Sequence, residues 1–101
     1  MKRTKNMKYN PTTESHELFL YATNDSELYR QMSTPIINNI RKKAQKGIYD
    51  KAKAVDAWYH VATEASNKYY KDFGYRFSVT DRFTAAVDMA DYYEEEALYN
   101  R

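Results

Sequence analysis

Apolar residues recur along this chain at steps of three and four, broken by short polar punctuation, and that spacing predicts helices. The pattern begins after Glu14. Leu18, Tyr21 and Ala22 fit one helix face, while the four bulky residues Leu18–Tyr21 equally suit a short strand. Asn24-Asp25-Ser26 interrupts the run. Asp25 or Ser26 can accept from the free N–H groups of a new first turn, which Glu27 also favours. Leu28, Tyr29 and Met32 form the apolar side of that short helix. Ser33-Thr34-Pro35 then predicts a restart, with Thr34 as cap and Pro35 at the first helical position, where its missing N–H costs nothing. Ile36, Ile37, Ile40 and Ala44 continue at helical spacing. Arg41, Lys42, Lys43 and Lys46 surround the last turns, where cations complement the helix dipole, and Gly47 offers a left-handed stop.

Asp50 is placed to cap the longest segment. Its predicted stripe is Val55, Trp58, Ala62, Ala65, Tyr69 and Phe73, and Gly74 ends it. After Tyr75-Arg76-Phe77, Ser78 or Thr80 can open a last helix. Phe83, Ala86, Val87, Ala90, Tyr93 and Ala97 are its stripe, opposite Asp88, Asp91, Glu94 and Glu95. Residues 1–13 are basic, contain Asn10-Pro11, show no periodicity and read as a flexible arm. The expected organisation is that arm followed by one helical domain over 14–101. Its class is all-α: a small helical bundle with two long antiparallel C-terminal helices covered by shorter N-terminal ones, and Trp58 near the centre.

Composition sharpens this picture. Two Gly and two Pro leave few chain reversals, against a many-stranded sandwich or barrel. Eleven Tyr in 101 residues predict a core and surface built on amphipathic rings whose hydroxyls need a partner or water. The lack of Cys removes disulfides, thiolate metal sites and thiol catalysis. The longest apolar run, Leu18–Ala22, is far below the ~20 residues of a membrane span, so no membrane association is expected. Met1-Lys2-Arg3-Thr4-Lys5 resembles the basic front of a signal peptide, but no apolar stretch follows, and a cytoplasmic location is expected.

Candidate chemistry is sparse. Asp56, His60 and Glu64 stand at i, i+4 and i+8 in one row, but three ligands over ~12 Å of one helix cannot share an ion, and a solvated polar face explains them. His16 lies at a helix start with no other feature of a site. Gly47 and Gly74 stand alone, offering neither a phosphate-binding loop nor an oxyanion cradle. No enzymatic activity, cofactor or metal is expected.

Charge is distributed unevenly. Residues 1–53 hold eleven Lys/Arg and five Asp/Glu, residues 54–101 five and nine, for a net +2. That asymmetry marks an interaction face, or two halves that attract each other within the fold or in a homodimer; the second is the simpler reading. Arg41, Lys42, Lys43, Lys46, Lys51 and Lys53 cluster about one helix junction, and Lys2, Arg3, Lys5 and Lys8 lie in the arm. Such groups can contact phosphates. In Lys68–Phe77 rings alternate with cations as in stacking platforms, with Tyr70, Tyr75 and Arg76 as candidate contacts. Against nucleic acid, helix ends ordinarily carry cations, and Tyr69, Phe73 and Phe77 suit a core.

The stretch from Glu17-Leu18 to Glu95 resembles a group of uncharacterised small helical proteins encoded by phages, plasmids and other mobile elements. The residues that carry the resemblance are Leu18–Tyr21, Leu28-Tyr29-Arg30, Pro35-Ile36, Asn39-Ile40, Lys42-Lys43, Gly47-Ile48-Tyr49-Asp50 and Lys53-Ala54-Val55. Ala65, Lys68-Tyr69, Phe77-Ser78-Val79 and Arg82 complete them. The resemblance implies a genomic setting and no site residues: an accessory protein used against host functions or in element maintenance, in the cytoplasm of a bacterial host. Two functions are expected on these grounds. One is binding of a protein partner, for instance as an inhibitor of a host defence system; the other is DNA or RNA binding through the arm and the 41–53 junction.

Overall fold

A computed structural model of the chain describes residues 8–99. The helices are α1 (Thr13–Asn24), α2 (Ser26–Leu28), α3 (Thr34–Gln45), α4 (Lys51–Phe73) and α5 (Val79–Leu98), and Tyr29–Ser33 forms a π-helical turn between α2 and α3. No strand occurs among the described residues, so Leu18–Tyr21 is helix. The class is all-α, a small bundle in which α4 and α5 run antiparallel and α1 and α3 pack across them.

Local chemistry sets most boundaries. Thr12 and Ser15 exchange side-chain and backbone hydrogen bonds across the first turn of α1 (2.9 Å each). Asp25 accepts from Leu28 N–H at 2.9 Å, Asp50 from Ala52 N–H at 3.0 Å, and Ser78 from Asp81 N–H at 3.0 Å, so each side chain satisfies a donor that its helix leaves free. Gly47 (φ 74°) closes α3 with two return bonds, Ile48 N–H to Lys43 C=O at 2.9 Å and Gly47 N–H to Ala44 C=O at 3.0 Å.

One boundary differs from expectation. Thr34 is helical (φ −59°, ψ −47°) and caps nothing; its N–H reaches back five residues to Tyr29 C=O. Pro35 has no N–H to give and crowds the carbonyl four residues earlier. The chain answers with one wide turn before the proline and continues, rather than stopping and restarting.

The core gathers Leu18 and Ala22 of α1, Leu28, Ile37 and Ile40, five residues of α4, Phe77, and the small face of α5. Alanines at 62, 65, 85, 86, 90 and 97 let α4 and α5 approach closely. Trp58 is fully buried at the centre, stacked on Tyr93 with ring centroids 4.7 Å apart. Its indole N–H meets no acceptor among the described residues. Ala54, Val61 and Ser66 widen the buried arc of α4 beyond its predicted stripe, and Met89, Thr84 and Ala85 do so on α5. Phe73 departs from its predicted core place: it is 65% exposed. It sits in the last turn of α4, with its ring against Tyr69 of the preceding turn.

Residues 9–12, which the sequence reading assigns to the arm, are laid along α5. Tyr9 donates to Asp88 (2.9 Å), Asn10 N–H to Thr84 (2.9 Å) and Thr12 to Asp81 (3.0 Å). Lys2, Arg3 and Lys5 lie outside the described residues.

Candidate functional site

The residues singled out from the sequence divide between the two ends of α4. At 1.5 Å per residue its 23 residues hold these ends about 33 Å apart. The cations at 41–53 surround the α3–α4 loop, whereas Tyr70, Tyr75 and Arg76 surround the α4–α5 turn. They cannot form one continuous site.

At the basic end, two of the six cations are engaged inside the fold. Arg41 donates to the carbonyls of Ala97 (3.2 Å) and Glu96 (3.0 Å), closing the C-terminus of α5, where backbone acceptors lack helical partners. Lys51 pairs with Asp91 and, at 3.3 Å, with Glu94, and these carboxylates raise its pKa. Tyr49 donates to Glu94 at 2.8 Å and Tyr29 to Glu96 at 2.9 Å. Burial and the Glu94 carboxylate push the Tyr49 phenol well above its ordinary pKa; at Tyr29 the hydrogen bond to Glu96 is the leading cause of a rise. The basic first half and acidic second half therefore meet within one chain, as the simpler reading of the charge asymmetry expects. Lys42, Lys43, Lys46 and Lys53 make no ion pair among the described residues. Lys43 and Lys53 flank a cleft of about 200 Å³ floored by Ile36, Ile40, Ala54 and Ala57.

The other end is aromatic. Gly74 (φ 75°) turns the chain so that Tyr75-Arg76-Phe77 folds back on α4. Phe77 enters the core and packs edge-on against Tyr69 and Tyr75, with centroids 4.9 Å away in both cases. Tyr69 also meets Phe73 at 4.6 Å and Tyr21 at 5.1 Å, and Tyr21 donates to Asp72 at 3.1 Å. Tyr70 and Tyr75 are exposed, and the Arg76 guanidinium sits 3.9 Å above the Tyr70 ring. Lys68 bridges Asp25 (2.8 Å) and Glu27 (3.2 Å), tying α4 to the turn after α1 and holding the Asp25 carboxyl below its usual range.

An open cleft of about 400 Å³ lies beside these rings, lined by Thr13, Glu14, Glu17, Tyr69, Tyr75 and Phe77. Partial desolvation raises the Tyr75 phenol, and the charges of Glu14 and Asp81 add to it. Periodicity assigns Tyr69 and Phe73 to the core and so misses the exposure of Phe73, while Tyr70, Tyr75 and Arg76, singled out as candidate contacts, are exposed. The signal was in the segment's own boundary: Phe73 immediately precedes the helix-ending Gly74.

Asp56, His60 and Glu64 are all exposed along the outer side of α4, and no cluster of three metal-ligating groups occurs among the described residues. No described helix is long and apolar enough to cross a membrane. Fold and surfaces together define a small all-α bundle with one basic and one aromatic end. Compared with known proteins, the chain matches no family model, no curated protein and no solved structure.

Proposed function

We propose that this chain is a small non-enzymatic binding protein that engages a protein partner through its aromatic end. The observation that carries the reading is Phe73, 65% exposed one helical turn from the exposed Tyr70 and close in sequence to the exposed Tyr75, so that three large rings face solvent within six residues. A contiguous aromatic surface of this kind favours a protein interface, where Tyr and Arg anchors dominate binding energy. The Tyr70–Arg76 stack supplies both residue types, already ordered in the free protein.

The resemblance to proteins of phages, plasmids and other mobile elements supports the rest of the proposal. The chain acts as an accessory protein in the cytoplasm of a bacterial host, as an inhibitor of a host defence system. Tagged protein recovered from carrier cells, with and without nuclease, tests it. A partner retained after nuclease and lost with Tyr70→Ser/Phe73→Ser is the expected result. Capture indifferent to that pair overturns it.

A second reading rests on the four cations at the basic end that make no ion pair among the described residues. If Lys42, Lys43, Lys46 and Lys53 contact phosphates, DNA or RNA binding weakens steeply with salt, with a log–log slope of about one per contact. Submicromolar binding at ~150 mM salt, lost with Lys42→Ala/Lys43→Ala, favours that reading, since non-specific binding lies near ~10⁻⁴–10⁻⁶ M.

A further inference from the structure

We infer that the cleft between the start of α1 and the α4–α5 turn is an aromatic cage for a cationic side chain, lysine or arginine, presented by the protein partner. This assignment rests on the reading of the aromatic end as the partner-binding surface, and it names the chemistry recognised there.

Three observations converge on it. The first is the arrangement of the rings. Tyr69, Tyr75 and Phe77 are inclined to one another by 67° to 78°, so no two of them stack face to face. All three line the same cleft. Phe77 is anchored in the core and Tyr69 is held between Tyr21 and Phe73, so two walls are formed before anything binds.

The second is charge. Glu14 and Glu17 lie three residues apart on α1, hence on one face, and both line this cleft. Neither makes an ion pair among the described residues. An apolar partner pressed against the rings would strip water from two carboxylates and return nothing, whereas a cation satisfies carboxylates and ring faces together.

The third is where the chain's own nearby cations are. Arg76 is stacked on Tyr70, Lys68 is bonded to Asp25 and Glu27, and Arg82 lies 5.6 Å from the Tyr59 ring. Among the described residues, no lysine or arginine lines the cleft. It offers a cation site that the described part of the chain does not itself fill.

The test uses choline and its uncharged carbon analogue 3,3-dimethyl-1-butanol, with N-acetyl-lysinamide and N-acetyl-argininamide as side-chain probes, followed by amide NMR shifts of the full chain. Choline and at least one of the amides are expected to shift the amides of residues 69, 75 and 77 saturably, with choline binding at least about tenfold tighter than the alcohol. Glu14→Gln/Glu17→Gln should weaken choline by about fivefold or more with the melting temperature unchanged. Equal binding of choline and the alcohol, or no saturable shift with any cation, overturns the cage.

Partner capture separates this inference from the reading beneath it. Capture lost with Tyr70→Ser/Phe73→Ser but untouched by Glu14→Gln/Glu17→Gln overturns the cage and leaves the binding surface standing. Capture indifferent to both pairs overturns both. Self-association abolished by Arg76→Ala places the cation on a second copy of this chain and overturns the assignment to a different protein.

Discussion

The two ends of α4 carry similar raw material, long side chains with aromatic or cationic heads, and use it in opposite ways. At the α3–α4 loop two of the six cations and two phenols are bound to α5. Arg41 closes α5, Lys51 meets Asp91 and Glu94, and Tyr29 and Tyr49 donate to carboxylates of α5. At the α4–α5 turn one ring, Phe77, turns inward while Phe73, Tyr70 and Tyr75 remain exposed. The difference follows from what each end must finish. The basic end contains a helix C-terminus with unsatisfied carbonyls and an acidic flank, so cations are drawn in. The aromatic end is a tight turn whose helices are already capped by Gly74 and Ser78, so the exposed Tyr70, Phe73 and Tyr75 are not needed to complete a helix end. Residues of the first kind should register in stability, and residues of the second in binding.

The largest effect should come from the centre that joins the ends. Trp58→Ala is expected to cost about 3–5 kcal/mol, most of the stability of a domain this size, with both ends lost in one cooperative denaturant transition. Two separate transitions would break the comparison at its root, since the ends would then not share a core. Next comes the division within the basic end. Arg41→Ala should cost about 1–3 kcal/mol through the carbonyls it leaves unpaired, while Lys42→Ala/Lys43→Ala should stay within a few tenths of a kcal/mol. Equal losses in thermal melts would show that the two sets of cations are not doing different things.

Alkaline titration probes the tyrosines. Burial pushes the Tyr93 phenol from 10.0 up to about 12, and Tyr29 and Tyr49 are raised as well. A phenol whose folded pKa is raised adds stability that is complete below its unfolded value, near 10, and disappears as pH climbs through the folded value. Stability should therefore be flat to about pH 10 and fall from there through about pH 12, with Tyr49→Phe making the fall shallower. Tyrosinate absorbance followed beside unfolding checks this; a fall that begins below pH 9 would have to come from other groups. The smallest effect is expected at Phe73→Ser, within about 0.5 kcal/mol by chemical denaturation, because the ring is mostly in water. A loss near that of a core residue would mean that the aromatic end is structural after all.

The cap at Asp50, the caps narrowed to Asp25 or Ser26 and to Ser78 or Thr80, the stops at Gly47 and Gly74, and the buried place of Trp58 were legible because each depends on a few neighbouring residues or on one face of one helix. The π turn was less so: Pro35 announces a disturbance, but a stop and a widened turn both accommodate it. Leu18–Tyr21 resolves to helix through the capping box of Thr12 and Ser15 and the burial of Leu18 and Ala22. The candidate contacts read from the sequence separate into two surfaces, because a 23-residue helix stands between them.

What the sequence determined by itself is the all-α class, the order of the helices and most of their ends, since period and capping act over a few residues. Tertiary structure alone decided which cations the fold consumes and which rings it leaves uncovered. Arg41 meets carbonyls 55 and 56 residues away and Lys51 meets Glu94 43 residues away, distances at which no local pattern carries information. Phe73 and Phe77 both suit a core when read from the sequence; their fates differ because the chain turns at Gly74, which brings Phe77 back into the core and leaves Phe73 exposed in the last turn of α4.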